Sequence, residues 1–140
     1  MRRRDQRGMA VSIEAAVVIP ALILFVGLVV ILARDALAQQ AVGAAAAQAA
    51  RSASIERTVG EARAAAAATA EAALRDGNIE CSQRAVTLDA RALAAPLGAA
   101  ARVSVTVTCT VAHDFGFPGF PSEHTIVQTR ESPVDTYRGR

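Results

Sequence analysis

The sequence has no lysine and no tryptophan, a single tyrosine and four phenylalanines. A core built on large rings is therefore excluded, and small aliphatic residues must do the packing. No proline occurs between Pro20 and Pro96, so nothing in that interval forbids a long helix. The only cysteines are Cys81 and Cys109, with no CxxC, which removes the spacing of a structural zinc site. There is no G-x-S-x-G, P-loop or HExxH, and Ser12, Ser52, Ser54, Ser104, Ser122 and Ser132 stand in no catalytic motif. His113 beside Asp114, and His124 after Glu123, flank one loop and lack further clustered ligands, so they read as solvated loop edges rather than a metal site. We expect no enzyme, no cofactor and no metal.

What charge there is sits unevenly. Arg2, Arg3, Arg4 and Arg7 face only Asp5 in the first eight residues, while from Met9 onward 11 arginines meet 12 acidic residues. The net charge of +2 therefore marks the beginning of the chain and not a basic face, and direct nucleic-acid binding has no visible footprint. The absence of lysine and the abundance of alanine suggest a GC-rich coding bias.

Ala15 to Ala33 is 19 residues without a charge. At about 1.5 Å per residue it covers roughly 28 Å, close to the hydrocarbon thickness of a bilayer. The arginine cluster before it outweighs Arg34 and Asp35 after it, so the positive-inside rule keeps the N-terminus cytoplasmic and sends the rest across. Three fates fit such a segment. It can be a plain anchor. It can be a secretory signal cut after Ala38, since Ala36-Leu37-Ala38 supplies an A-x-A pattern, although the apolar run exceeds the usual signal core of about 7–15 residues. Or it can be a pilin-type helix, kept after a leader is clipped near Gly8.

Glu14 bears on the choice. A carboxylate at the edge of a membrane helix can simply snorkel, but acids within membrane segments are by default functional and paired. In a pilin-type assembly the partner is the α-amino group freed when a neighbouring subunit loses its leader, and a misplaced subunit leaves the carboxylate unpaired in a dry bundle. The stretch "RGMAVSIEAAVVIPALILF" resembles the start of TadE-like and TadG-like proteins of the tight-adherence (Flp-type) pilus systems. Gly8, Glu14 and Pro20 match the family's Gly, Glu and early Pro. The resemblance implies a minor pseudopilin of a type IV pilus, processed by a prepilin peptidase. Its implied partners are other pilin or pseudopilin subunits, the inner-membrane assembly platform and membrane lipid. Counted from Met9, Glu14 is the sixth residue where the family usually has the fifth, and Ala15 stands where a larger side chain is common. Cleavage after Gly8, after Met9, or not at all therefore stay open.

Beyond the apolar run, Arg34 to Asp76 is rich in Ala, Gln, Arg and Glu, all good helix formers. Helix is expected from about Val11 to Asp76, either continuous or bent or broken at the weak points Gly43 and Gly60, with a kink at Pro20 and Gly77-Asn78 as a left-handed cap. Its alanine runs suit close helix packing, or else reflect composition alone. Large residues at strict a and d positions are missing, which argues against a coiled coil. After Gly77 the period changes to two. "RVSVTVTCTVA" alternates valine with serine and threonine, and "HTIVQTRES" is a second strand candidate. "NIECS" and "AVTLDA" fit shorter strands, and "HDFGFPGFPSE" must be a loop. Arg91 to Ala101 reads as a loop or a single helical turn. Cys109 lies on the valine face and Cys81 in the first short strand; outside the membrane the two are expected to form a disulfide. Closing about 28 residues would constrain the unfolded chain by roughly 3.5 kcal/mol. Phe115, Phe117 and Phe120 read as a seal over the end of a thin core, or alternatively as an exposed tip that touches a partner.

The expected architecture is α+β and pilin-like: a basic leader (1–8), a transmembrane assembly helix (9–33), an alanine-rich extracytoplasmic helix (34–76), and a small antiparallel sheet of three or four strands (77–140). The expected role is a structural subunit, in the membrane first and at the cell surface once assembled. The competing role is a single-span, membrane-anchored binding module that never polymerises.

Overall fold

The computed structural model describes residues 7–96, 100–112 and 122–134. The chain divides into two compact units, Met1–Ala36 and Leu37–Arg140. The order of elements is α1 (Arg7–Ile55), α2 (Val59–Asp76), β1 (Gln83–Asp89), a 3-10 turn (Arg91–Ala94), β2 (Arg102–Ala112) and β3 (Glu123–Pro133). The strands form one antiparallel sheet in the order β1-β2-β3. A long apolar N-terminal helix followed by a small open sheet is the α+β arrangement expected from the sequence.

The helical stretch expected from Val11 to Asp76 is two helices. It breaks at Glu56–Thr58 and not at either glycine. Thr58 is the reason. Its backbone is extended, its hydroxyl accepts from the Glu61 amide at 3.2 Å, and the same hydroxyl donates to Glu61 Oε2 at 2.8 Å. Thr58 and Glu61 thus stand at the spacing of a capping box, which satisfies orphan donors at a new helix start. Gly43 lies inside α1, where a Cβ would come within 3.1 Å of Arg130 Nη2. Its job is to leave room for a guanidinium.

α2 ends in a Schellman motif. The Asn78 amide donates to the Arg75 carbonyl at 2.9 Å and the Ile79 amide to the Leu74 carbonyl at 3.0 Å. Asn78 takes the left-handed conformation, with φ 52°, while Gly77 stays helical at φ −74°. Asparagine tolerates that region better than most residues, and Ile79 then packs on the core beside Leu74, as the motif requires.

The core of the second unit is mostly alanine and valine. On α1, Ala38, Val42, Ala45, Ala49 and Ala53 are buried at helical spacing; on α2, Ala62, Ala66, Ala70 and Leu74 form a matching stripe. Ala41 Cβ lies 3.3 Å from where a Cβ on Gly77 would stand, so α2 returns close along α1. The alanine runs therefore serve packing. The sheet supplies Val103, Val105, Val107 and Cys109, all fully buried on one face of β2, with Ile126 of β3 in register with Cys109. Opposed residues of antiparallel strands share a face. Gln128, Arg130 and Ser132, in register with Val107, Val105 and Val103, are thus on the helix-facing side too. Ser132 Oγ meets Ser54 Oγ at 3.1 Å, and Ser54 Oγ donates to the Arg51 carbonyl at 2.8 Å, so this buried polar pair is satisfied.

β2 matches the alternating segment residue for residue, and among the described residues the sheet has three strands. "NIECS" is not a strand: Cys81 precedes β1 rather than lying in it. The Ser82 amide nevertheless donates to the Thr110 carbonyl at 2.8 Å, extending the ladder by one bond. Arg91–Ala94 is a short helical turn begun by Asp89, whose Oδ1 accepts from the Arg91 amide.

Ala66 is fully buried and its neighbour Ala67 is exposed. Ala66→Leu should destabilise the second unit by about 1–3 kcal/mol through overpacking, with Ala67→Leu within about 0.5 kcal/mol of the parent. Thermal unfolding followed by circular dichroism checks the pair.

Candidate functional site

The first unit offers one feature of functional weight, the apolar stretch of α1. From Val17 to Leu32 every large aliphatic or aromatic side chain except Ile31 is exposed, from Val17 at 68% to Val30 at 45%. Gly27 has nothing within 4 Å of where a Cβ would stand. There is no polar face, so this is not a core helix turned outward on one side. α1 is long and apolar enough to cross a membrane, and its most apolar window contains no buried residue. Signal sequences meet the same criteria of length and composition. Soluble monomers rarely expose contiguous apolar patches larger than a few hundred Å².

Pro20 lies inside α1, and the helix runs through it. It removes the amide that would have bonded to the Ala16 carbonyl, a loss that a membrane helix tolerates when neighbours or local adjustment satisfy the freed group. Gly8 and Met9 are helical, so a processing site there would lie within the first turn of α1. Glu14 is exposed, at the threshold of the uncharged run. Arg34 and Asp35 close that run on its other side.

In the second unit, Cys81 and Cys109 form the expected disulfide, with Cα atoms 5.3 Å apart. Phe115, Phe117 and Phe120 lie outside the described residues, as do His113 and Asp114. His124 lies at the start of β3, in register with Val111. Glu71 bridges two elements: its Oε1 is 3.2 Å from Arg75 on the same helix and 3.5 Å from Arg84 of β1. The outer face of the sheet is a hydroxyl array. Thr106 and Thr129 share a hydrogen bond at 2.8 Å, and Thr110 and Thr125 another at 3.0 Å. A shallow polar recess at one end is lined by Thr87, Asp89, Arg91, Ser104 and Thr106, where Arg91 is already engaged with Asp89 at 3.2 Å. Among the described residues no cluster of three His, Cys, Asp or Glu could hold a metal ion.

Three features escaped the sequence reading: the Thr58 cap, the Arg130 guanidinium laid over Gly43, and the Ser54–Ser132 pair. The first had a signal in T-x-x-E. The other two depend on strand register, which a single sequence does not display.

No family model, no curated protein and no solved structure matches this chain. What can be stated is a single apolar helix near the N-terminus joined in sequence to a small disulfide-bonded α+β module, an arrangement compatible with membrane anchoring.

An arginine at the centre of a membrane helix costs about 2.5–3.5 kcal/mol on insertion scales. The double variant Leu24→Arg/Gly27→Arg should therefore move the chain out of the alkali-resistant membrane fraction. The second unit contains neither residue.

Proposed function

We propose that this protein is a single-span membrane anchor carrying a small α+β module on the extracytoplasmic side. The observation that carries the reading is the exposed apolar surface from Val17 to Leu32. It would be costly in water and is suited to lipid. The arginine cluster at residues 2–7 supports a cytoplasmic N-terminus. The disulfide supports an oxidising compartment for the module, since such bonds persist outside the cytosol.

A second reading adds polymerisation to the same anchor: a minor pilin-like subunit of the TadE kind, processed near Gly8 or Met9 and recruited to a pilus through its apolar helix. Glu14 favours it. A bare anchor gains nothing from a carboxylate at the edge of its span, whereas an assembly of such helices gains a register mark when a neighbour's amine neutralises it. Other subunits, the peptidase and the assembly platform are partners only under this reading.

Glu14→Ala separates the two. Membrane insertion should survive under both readings. Under the pilin reading, incorporation into sheared surface filaments should fall at least tenfold, and Glu14→Asp should recover part of it. Unchanged filaments in the Glu14→Ala strain would remove the pilin reading and leave the anchor. N-terminal sequencing of the cell-derived protein decides the rest: a start at Gln39 would overturn the anchor itself.

A further inference from the structure

β1 is joined to the domain differently from β2 and β3. None of its seven residues is buried; Val86 and Leu88 are half-buried and the other five are exposed. β2 by contrast buries Val103, Val105, Val107 and Cys109, and β3 buries Ile126 and Ser132. β1 is also an edge strand, so only β2 holds its backbone. Arg84 reaches Glu71 on α2, but both side chains are more than 40% exposed, and such pairs contribute little. A covalent tie lies just before β1. Cys81 is bonded to the fully buried Cys109, and Ser82 donates from both its amide and its hydroxyl to the Thr110 carbonyl. The covalent bond thus anchors the first rungs of the β1-β2 ladder to the centre of the core.

We propose that the Cys81–Cys109 disulfide is a redox latch on β1. Oxidised, it holds the strand in the sheet. Reduced, it lets β1 part from β2 as a local unit while β2, β3 and the two helices stay folded. The chemistry is a two-electron exchange with a dithiol: the Cys81–Cys109 bond breaks, each sulfur ends with one hydrogen, and the dithiol leaves as its own disulfide. Cys81, half-buried, is the more reachable side of that bond. Elements with few buried apolar contacts and exposed ladder bonds open at lower free energy than the rest of a fold, and a cross-link at their end is what raises that cost. The latch does not depend on which way the chain crosses a membrane or on whether it polymerises.

Hydrogen exchange with mass spectrometry on the full chain in detergent micelles tests it, comparing the oxidised protein with protein held in dithiothreitol. On reduction, amides of Gln83–Asp89 should exchange at least tenfold faster, while those of Ile126–Glu131 in β3 and Ala62–Ala70 in α2 change less than threefold. Cys81→Ser should reproduce the reduced pattern without reductant. Unchanged β1 exchange on reduction would overturn the proposal. So would a rise shared equally by β1, β3 and α2, because the bond would then serve the whole domain. If Cys81→Ser does not fold, the parent protein under reductant decides the matter alone.

Discussion

The second unit depends on how closely two helices and one sheet face can approach. Ala45, Ala49 and Ala53 on α1, and Ala62, Ala66 and Ala70 on α2, have no accessible surface. Each contributes little apolar area alone. Together they bring backbones near enough for dispersion contacts to accumulate, which is how a core with almost no aromatic residues reaches a packed state. The same economy extends to the sheet, whose fully buried β2 residues are three valines and a cysteine. Four residues of β2 fill the space that leucine or phenylalanine would occupy elsewhere. A core so made has little area to spare at its margins, and β1 is such a margin.

The first unit obeys the opposite rule. From Val17 to Leu32 the side chains are large, apolar and uncovered. α1 thus changes character along its length: bulky residues around its whole circumference before Arg34, then a buried alanine stripe from Ala38 onward. A helix suited to lipid is bulky and apolar on every side, whereas a helix packed in a small core is apolar on one side and polar on the other. Arg34 and Asp35 mark where one requirement gives way to the other.

Much of this was legible from composition and period. The uncharged run, the absence of proline up to Pro96, and the alternation in "RVSVTVTCTVA" predicted the helix-then-sheet order, and β2 falls on the predicted residues. The disulfide was legible because Cys109 shares the valine face. A break in the long helix is legible as a weak point near Gly60, but its position at Glu56–Thr58 is not. Composition across "SIERTVGE" weakens a helix without placing its end, and the Thr58–Glu61 side-chain bonds set where the next one starts. Gly43 looks like a weakness in a helix until strand register brings Arg130 over it. Asn78 was half-read: the cap was foreseen, but its left-handed residue is the asparagine and not the glycine. Functional inference at Glu14 stays one step further removed, since the value of that carboxylate is set by what surrounds it in a membrane or an assembly.

β3 shows how the module keeps itself from pairing indiscriminately. It is an edge strand of eleven residues, long enough to template another chain. Yet its helix-facing side carries Gln128 and Arg130 where an aggregating strand would carry aliphatics, and Glu131 and Pro133 stand toward its end. Arg130 places its guanidinium over α1 at Gly43, where a Cβ would stand 3.1 Å from Nη2 and crowd it. Charge on β3 near that edge, Arg130 and Glu131 together with Pro133, makes it a poorer template for a second chain than an all-aliphatic strand of the same length.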